Sequence, residues 1–361
     1  MEIHKDYDLT KLNTFGISVS AKFFIEIHDK TDLENLFDTP EFKNNKKLFL
    51  GGGSNILFTK NFDGLVVLNK LKGIKILSES STDVVIHAMS GEIWHDLVIF
   101  AVERGYWGIE NLSLIPGTVG AAPMQNIGAY GAELRDVLES VEAYDLESGK
   151  ENKKKVFSRE ECLFGYRDSI FKNELKDKYF IFAITLKLSK VEKKNISYKI
   201  LREYLENLYA QTGNKIVPYS LKDISDAVGA IRKSKLPDPA IIPNAGSFFK
   251  NIFVEEEKLN ELLKIYPNMP YFEEKNGRKN GSKASVFIAS VFKKIPAAWL
   301  IEQCGWKGKR IGNVGVHNMQ ALVLVNYGGA TEEEVKNLAE SIIADVKNKF
   351  GLVLIPEVNL I

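Results

Sequence analysis

The sequence is poor in the features that mark secreted, membrane-bound or disulfide-linked proteins. Among its 361 residues are only two cysteines, Cys162 and Cys304, which form neither a metal-binding spacing nor a disulfide framework. Such sparse cysteine usage fits a reducing compartment, so we predict a cytoplasmic protein. The N-terminus has no apolar stretch typical of a signal peptide. No apolar run approaches the roughly 18 residues that cross a bilayer, and we expect no membrane partner.

Charge and histidine content exclude two further classes of partner. The formal net charge is only +1, and acidic and basic residues are interspersed. Nucleic acids and anionic membranes favour strongly basic proteins, so we expect neither. The histidines show no HxxH or HxxxH spacing, which predicts no metal site. They are His4, His28, His87, His95 and His317.

What the sequence does contain is an alternation of strand-like and helix-like segments, in a chain long enough for two or three domains. Runs rich in β-branched and aromatic residues predict strands, and largely apolar or periodic stretches predict helices. The predicted strands cover 47–53, 64–69, 178–188 and 352–358, and a predicted helix covers 92–105. We therefore predict the α+β fold class, with boundaries near 68–72 and 235–239.

Three other helices are predicted in more detail. Thr31 and Glu34 form the pattern of a capping box, and Thr331 and Glu334 repeat it before the last helix, which ends at Gly351. Apolar residues recur at helical spacing in these helices and in one between them. They are Leu33, Leu36 and Phe37, then Ile224, Ala227, Val228 and Ile231, and finally Val335, Leu338, Ile342 and Val346.

Two glycine-rich segments stand out. In the first, Gly51-Gly-Gly-Ser-Asn-Ile56, glycines would let backbone amides approach a phosphate, while Ser54 and Asn55 add side-chain donors. It is neither a Rossmann fingerprint nor a P-loop, and a hairpin turn is the alternative. The second, 108–131, has five glycines, two prolines and a single charge, Glu110. It suits a backbone that passes close to a large flat ligand such as an isoalloxazine ring; a buried loop is the alternative. Together the segments favour a dinucleotide cofactor.

Three residues are candidates for chemistry. Arg167 stands among aromatic residues and is a candidate anion binder, unless Asp168 or a backbone carbonyl satisfies it. Glu357 could act as an acid if it is buried in its predicted strand; an exposed edge carboxylate is the alternative. Ser247, in the stretch PNAGSFFK, fits no hydrolase nucleophile motif. Capping of a neighbouring amide is its alternative role.

In their order along the chain, these segments resemble the UDP-N-acetylenolpyruvoylglucosamine reductase family. The matching motifs span nearly the whole chain: NTFGI (13–17), GGGSNILF (51–58), the 108–131 segment, YRDSIFK (166–172), KLPDP (235–239), NAGSFFKN (244–251), AAWLIEQCGWKG (297–308), HNMQALVLVN (317–326) and PEV (356–358). The resemblance implies an FAD-binding fold of the vanillyl-alcohol-oxidase type, with two α+β subdomains, plus a separate α+β substrate-binding domain. The implied domains are 1–70 joined by the C-terminal strand 351–361, then 71–236, and 237–350.

The resemblance also implies an activity, that of a UDP-N-acetylmuramate dehydrogenase of peptidoglycan synthesis. NADPH would reduce FAD, whose N5 hydride would then pass to the enolpyruvyl group of UDP-N-acetylenolpyruvoylglucosamine in ping-pong order, giving UDP-N-acetylmuramate. The implied FAD-binding residues all lie in the glycine-rich segments. They are Gly51, Gly52, Gly53, Ser54, Asn55, Pro116, Gly117, Gly120, Ile127 and Gly128.

Site residues carry over by matching motifs. Arg167 and a protonated Glu357 would stabilise the enolate-like species that hydride addition forms, and Ser247 would donate a proton to the neighbouring carbon. The positions that match the family's UDP-sugar contacts are Tyr198, Lys235, Asn251 and Gln320. The resemblance is to the subtype with a substrate-closing tyrosine loop, and we expect a monomer.

The sequence departs from the family pattern in three places, and two other functions fit part of it. Ile252 replaces a frequent proline, Asn359 stands where many members carry arginine, and 274–285 resembles a loop expansion without an assigned role.

One alternative function is that of a flavin oxidase or dehydrogenase of the same fold, although no histidine or cysteine near 51–55 or 108–131 suits covalent flavin attachment. The other is a non-catalytic nucleotide-sugar binding protein, against which the retained candidate catalytic residues argue.

Overall fold

The chain forms two compact units. The computed structural model describes residues 1–147, 154–210, 219–274 and 292–361. The first unit contains Met1–Tyr7, Ser20–Gly52 and Phe62–Ser234, and the second contains Asp8–Val19, Gly53–Asn61 and Lys235–Ile361. The three-domain division drawn from the resemblance stays a prediction. Beyond Glu274, the expanded segment 274–285 lies outside the described residues.

Helices and strands alternate, which confirms the mixed α+β class. The strands are β1 (His4–Asp8), β2 (Ser20–Ile27), β3 (Lys46–Leu50), β4 (Ile56–Leu57), β5 (Phe62–Asn69), β6 (Ile74–Glu79), β7 (Asp83–Met89), β8 (Gly128–Ala129), β9 (Ala132–Glu133), β10 (Leu138–Asp145), β11 (Lys154–Ser158), β12 (Tyr179–Ser189), β13 (Asn244–Ser247), β14 (Ile252–Val254), β15 (Phe272–Glu274), β16 (Phe292–Ile295), β17 (Arg310–Ile311), β18 (Val314–Val316), β19 (Val323–Asn326) and β20 (Asn359–Leu360). The helices are α1 (Lys30–Asp38), α2 (Pro40–Asn44), α3 (Trp94–Glu103), α4 (Lys199–Ala210), α5 (Leu221–Lys235), α6 (Glu256–Ile265), α7 (Ala297–Gln303) and α8 (Glu332–Phe350). Within this part of the chain, no helix is long and apolar enough to span a membrane.

The first unit opens with a four-stranded sheet in the order β1-β2-β5-β3. Strands β2 and β3 both pair in parallel with β5, and α1 and α2 connect β2 to β3. Leu33, Leu36 and Phe37 of α1 are buried in one core cluster with residues of β2 and β5. The apolar side predicted for this helix is therefore confirmed, as are the strands predicted within 47–53 and 64–69.

The predicted start of α1 is wrong. The N-cap is Asp29, whose Oδ1 accepts a hydrogen bond from the Asp32 amide at 2.8 Å, and not Thr31. Asp32 Oδ2 in turn accepts from the His28 amide at 3.0 Å. Aspartate caps helices as well as threonine does, and Asp29 has the extended backbone that an N-cap needs. The helix therefore begins before the predicted capping box.

A five-stranded antiparallel sheet, β11-β10-β12-β7-β6, forms the second layer of this unit. Strand β12, predicted at 178–188, lies between β10 and β7 and is almost wholly buried. The predicted helix within 92–105 is α3, whose Trp94, Leu97 and Val98 lie in the core of this sheet. Gly105, with φ of +74°, follows its C-terminus.

Helices α4 and α5 form a smaller core beside Trp107. The predicted stripe of α5 is confirmed, because Ile224, Ala227, Val228 and Ile231 are all buried there together with leucines of α4. Each fully buried isoleucine or valine stabilises such a core by about 1.5–3 kcal/mol. This packing fixes the orientation of α5, and with it the position of Arg232, which follows Ile231.

The described part of the second unit contains two antiparallel sheets, the short parallel strand pair β4 and β20, and three helices. The sheet orders are β13-β19-β18-β17 and β14-β16-β15, and α6, α7 and α8 accompany them. For α8 the prediction is confirmed: Thr331 and Glu334 form both bonds of the capping box, and Gly351 ends the helix at φ of +68°. The apolar stripe predicted for α8 is buried.

The strand predicted at 352–358 is wrong. Leu352 and Leu354 are buried while Val353 and Ile355 are exposed, which is the alternation that suggested a strand. Nevertheless the segment joins a neighbour only through an isolated bridge between Pro356 and Phe249. Proline has no N–H to extend a ladder. Regular pairing begins later, where β20 runs parallel to β4.

Candidate functional site

The two glycine-rich segments meet within the first unit. A Cβ atom on Gly52 would lie 3.1 Å from the Cα of Gly117, and one on Gly51 would lie 2.3 Å from the Thr118 Oγ1. The two backbones therefore approach as closely as they do because these positions lack side chains. The hairpin alternative is wrong, because β3 and β4, on either side of the loop, belong to different sheets.

The remainder of the first segment is fixed in the second unit. Gly53 has φ of +61°, and a Cβ there would lie 2.0 Å from the Leu12 carbonyl oxygen. The Gly53 carbonyl accepts a hydrogen bond from the Thr14 amide at 3.0 Å. Asn55 Nδ2 donates to the Glu357 carbonyl at 3.4 Å, and the Asn359 amide donates to the Asn55 carbonyl at 3.0 Å. These bonds join the loop to the C-terminal segment.

The second glycine-rich segment runs beside the residues that lead into α3. The Trp94 amide donates to the Gly117 carbonyl at 3.1 Å, and the Gly120 amide donates to the Ser90 carbonyl at 2.9 Å. A Cβ on Gly120 would lie 2.5 Å from that of Ser90. Pro116 is exposed, whereas Ile127 is buried. One part of the segment is thus packed in the core, and Pro116 is open to solvent.

Arg167 lies inside a tight turn that Gly165 and Asp168 close by hydrogen bonds in both directions. Its φ is +50°, and its Nη2 donates to the Gly128 carbonyl at 2.6 Å. A Cβ on Gly128 would lie 3.0 Å from Arg167 Nη1, so glycine leaves room for the guanidinium. One backbone carbonyl is thus an acceptor, as the alternative interpretation held. The charge of Arg167 also lowers the pKa of the Glu133 carboxyl, against the larger effect of burial, which raises it.

The segments that carry Ser247 and Glu357 are joined by backbone hydrogen bonds in the second unit. The Glu357 amide donates to the Phe248 carbonyl at 2.8 Å, and the Lys250 amide donates to the Ile355 carbonyl at 2.9 Å. On its other side, β13 pairs Ser247 with Val323 of β19. Ser247 and Glu357 are both partly buried. Within the described part of the chain the Ser247 hydroxyl makes no hydrogen bond, so it caps no amide there.

The proposed UDP-sugar residues fall in both units. Tyr198 belongs to the first unit, is 48% exposed, and its ring meets that of Tyr130 edge-on at 5.5 Å between centroids. In the second unit, Asn251 Oδ1 accepts from the Ala297 amide at 3.0 Å. Gln320 Oε1 lies 3.4 Å from the Leu322 amide, and Lys235 is partly buried at the end of α5.

Asn251 also lines a cavity of about 390 Å³ in the second unit. Lys250 lines the same cavity and is only 8% exposed, so a cation stands beside the proposed sugar-binding asparagine. The sequence reasoning did not single out Lys250. The sequence pattern that could have identified Lys250 is a lysine directly after two phenylalanines, Phe248 and Phe249, which the structure shows to be buried.

Sequence reasoning also missed Arg232, on α5 in the first unit. Its Nε donates to the Leu114 carbonyl at 3.2 Å, while the Leu114 amide donates to His95 Nδ1 at 3.1 Å. Burial lowers the pKa of Arg232 and raises that of Tyr130, its neighbour. The sequence pattern that could have identified Arg232 is a basic residue immediately after Ile231, the last residue of the buried apolar stripe of α5.

Neither metal ligation nor a reactive thiol marks the described residues. Across 1–147, 154–210, 219–274 and 292–361, no cluster of three or more histidine, cysteine, aspartate or glutamate side chains could hold a metal ion. Cys162 is fully buried, and burial raises the pKa of its thiol to about 12. A thiol of this kind is inert at neutral pH.

Similarity to known proteins covers both ends of the chain. Residues 21–152 match the family model described as FAD binding domain. Residues 238–361 match the model described as UDP-N-acetylenolpyruvoylglucosamine reductase, C-terminal domain. A UDP-N-acetylenolpyruvoylglucosamine reductase of Amoebophilus asiaticus is 46% identical over the full length of both chains.

Two solved structures share the fold at low sequence identity. The UDP-N-acetylenolpyruvylglucosamine reductase of Thermus caldophilus aligns with a TM-score of 0.64 and 20% identity, over 99% of this chain and 98% of its own. A solvent-stable cholesterol oxidase aligns with a TM-score of 0.50 and 10% identity, over 99% of this chain and 86% of its own. These matches confirm the FAD-binding fold of the vanillyl-alcohol-oxidase type and the FAD cofactor. With full-length identity well above what family membership requires, the chain belongs to the UDP-N-acetylenolpyruvoylglucosamine reductase family.

Proposed function

We propose that this protein is an NADPH-dependent UDP-N-acetylmuramate dehydrogenase of peptidoglycan precursor synthesis. It reduces the enolpyruvyl group of UDP-N-acetylenolpyruvoylglucosamine and acts in the cytoplasm. The observation that carries the proposal is the hydrogen bond from the Glu357 amide to the Phe248 carbonyl, 2.8 Å long. It holds the backbone of the proposed acid, Glu357, against Phe248, the residue that directly follows the proposed proton donor, Ser247. The substrate named for the Amoebophilus asiaticus relative supports the same activity.

The glycine-rich segments are proposed to bind FAD. Bound FAD supplies a hydride to the substrate double bond after NADPH has reduced it. The proposed binding residues are Gly51, Gly52, Gly53, Ser54, Asn55, Pro116, Gly117, Gly120, Ile127 and Gly128. Their fit to a cofactor rests on close backbone passage at Gly52 and Gly117, and on the exposed edge at Pro116. Backbone amides without side chains suit a pyrophosphate.

The chemistry proposed for the protein is stabilisation of charge followed by delivery of a proton. Hydride addition leaves negative charge spread into the substrate carboxylate, which Arg167 stabilises by its positive charge and Glu357 by a hydrogen bond from its protonated carboxyl. Ser247 then gives its proton to the neighbouring carbon. Serine is a weak acid, but the carbanion is a strong base. An O–H group that makes no hydrogen bond with any described residue is well suited to this task.

The UDP-sugar is proposed to contact Tyr198, Lys235, Asn251 and Gln320, with the Lys235 ammonium on the diphosphate. NADPH is proposed to use the same pocket before the substrate arrives, in ping-pong order. This order accounts for a sequence without a Rossmann fingerprint.

Anaerobic stopped-flow spectroscopy of Ser247→Ala tests the proposal. Because serine is assigned only to the second half-reaction, NADPH should bleach the flavin of the variant at the wild-type rate. Reoxidation of the reduced flavin by the enolpyruvyl sugar should be about 10²–10⁴-fold slower. Ser341→Ala, at an exposed position of α8, is the matched control and should behave as wild type.

Other outcomes point elsewhere. Unimpaired turnover of Ser247→Ala would remove the proton-donor role and leave the substrate assignment standing. Hydrogen peroxide formation from an alcohol without NADPH would instead identify an oxidase of the same fold. If purified protein neither contains nor binds FAD, the whole proposal fails.

A further inference from the structure

In the second glycine-rich segment, two residues separate a fixed point of the chain from the part proposed to bind FAD. Ser113 is the fixed point, because it is fully buried and its hydroxyl lies 2.7 Å from the hydroxyl of Ser225 on α5. Pro116 and Gly117 belong to the proposed FAD-binding residues. The position of this part of the chain therefore depends on the backbone of Leu114, the residue that follows Ser113.

The backbone of Leu114 is held in an unusual conformation by two side chains. Its φ is +56°, in the left-handed region that residues with a Cβ rarely adopt. Its amide donates a hydrogen bond to His95 Nδ1 at 3.1 Å, and its carbonyl accepts one from Arg232 Nε at 3.2 Å. In the part of the chain that the structure describes, Leu114 makes no backbone–backbone hydrogen bond. The bonds from α3 and α5 are therefore what stabilises this conformation.

The bond between Leu114 and His95 requires a neutral imidazole. Because Nδ1 accepts from the amide, the ring proton is on Nε2, and a second proton on Nδ1 would replace the acceptor with a donor. Burial lowers the pKa of His95 most. Lys233 and Arg232 on α5 lower this pKa further, whereas Asp96, on the same helix as the histidine, raises it. The ring is therefore neutral at neutral pH and able to accept.

We propose that His95 is a positioning residue for FAD, and that its neutral ring orders the chain at Pro116 and Gly117 by holding the preceding backbone. The inference rests on the proposed function for the role of these two residues in FAD binding. When His95 takes up a proton, the Leu114 amide loses its acceptor and the left-handed conformation loses one of its two side-chain bonds. The contribution of His95 is complete above pH 6.5, its ordinary pKa, and is lost as the pH falls below that value.

The test is titration of the full-length apoprotein with FAD, followed by flavin fluorescence at about pH 7.5 and about pH 5.5, on either side of the ordinary histidine pKa. His95→Leu leaves the Leu114 amide without its acceptor, so its Kd for FAD should rise about 5–100-fold at the higher pH. His95→Asn offers a side-chain oxygen that accepts but does not titrate, and it should bind FAD as wild type does. His28→Asn, at an exposed histidine of the same unit, is the matched control.

The pH dependence separates positioning by the ring nitrogen from simple packing of the ring. Wild-type binding should weaken at the lower pH, by up to about tenfold per pH unit because one proton is taken up, and His95→Asn should lose this dependence. If His95→Asn weakens FAD binding as much as His95→Leu does, the ring acts by packing and the proposal falls. It also falls if His95→Asn keeps the wild-type pH dependence, or if His95→Leu binds FAD as tightly as wild type.

A second variant distinguishes failure of this inference from failure of the proposed cofactor site. A Cβ on Gly52 would lie 3.1 Å from the Cα of Gly117, so the larger side chain of Gly52→Val displaces the same loop from the opposite direction along the chain. If Gly52→Val folds and binds FAD as wild type does, the proposed site is wrong. If Gly52→Val weakens FAD binding while His95→Leu does not, the site stands and only the role of His95 is refuted.

Discussion

Glycine is required at single positions here for two separable reasons, backbone dihedral angle and space. Gly53 and Gly105 both have positive φ, +61° and +74°. A Cβ on Gly53 would lie 2.0 Å from the backbone oxygen of Leu12, whereas a Cβ on Gly105 would meet nothing within 4 Å. The two positions therefore share the dihedral requirement, and only Gly53 adds a steric one.

This difference predicts unequal costs for the same substitution. Gly105→Ala should lower the free energy of unfolding by about 1–2 kcal/mol, the cost of a left-handed residue with a Cβ. Gly53→Ala should cost about 1–3 kcal/mol more, because a backbone atom must move to admit the methyl group. Thermal and urea unfolding measure both. Equal destabilisation by the two substitutions would show that the backbone near Gly53 shifts to admit the methyl group at no cost in free energy.

At the scale of single residues, sequence motifs identified the candidate functional residues, but they did not identify the residues that those candidates contact. The run of glycines at 51–53 was recognisable because three consecutive glycines are unusual in any regular element. Its neighbours, Gly117 and Leu12, were not, since they lie far away along the chain. Arg232 was missed altogether, because an arginine beside a helical stripe is common and its hydrogen bond to the distant Leu114 carbonyl is a property of the folded chain.

At the scale of elements, the boundaries of helices depend on which of several adjacent polar residues becomes the cap. The segment preceding α1 offers Asp29, Thr31 and Asp32. The structure uses Asp29, whose carboxylate accepts from the Asp32 amide at 2.8 Å. Thr31 lies inside the first turn of the helix, where its side chain has no capping role.

The pair Asp29→Ala and Thr31→Ala tests this assignment. Loss of an N-cap costs about 0.5–2 kcal/mol, so Asp29→Ala should lower the melting temperature measurably. Thr31→Ala should be neutral or slightly stabilising, because alanine has the higher helix propensity. The reverse ranking, measured by calorimetry or by circular dichroism during heating, would restore Thr31 as the cap.

Periodicity succeeded for elements whose apolar stripe had a single interpretation. Helix α8 has a capping box, a stripe and a terminal glycine that agree, and the structure confirms all three. The segment 352–358 alternates in burial as a strand does, yet it has only a bridge at Pro356. Alternation requires a neighbouring strand with free hydrogen-bonding groups, and no local pattern reports whether one is present.

At the scale of the whole molecule, the FAD-binding fold predicts that stability depends on the cofactor. A ligand that binds only the folded protein stabilises it by mass action, by about 2.7 kcal/mol at a free concentration of 100 times its Kd. Removal of FAD should therefore lower the melting temperature, and added FAD should restore it together with the yellow colour. NAD⁺, a dinucleotide without an isoalloxazine ring, is the control. If added FAD leaves the melting temperature of the apoprotein unchanged, the assignment of the cofactor is contradicted.

The sequence by itself determined the class of fold, the positions of the glycine-rich segments, the order of the family motifs and half of the described helices. These are properties of local composition and spacing, which act before distant residues meet. Only the tertiary structure decided that Gly52 lies against Gly117, that the Glu357 amide bonds to the Phe248 carbonyl and that Arg232 bonds to the Leu114 carbonyl. Such pairs are separated widely along the chain, and their contact depends on how sheets and helices pack. The stretch PNAGSFFK shows both contributions. The motif identified Ser247 as a candidate, and the folded chain showed that the Glu357 amide bonds to the adjacent Phe248 carbonyl.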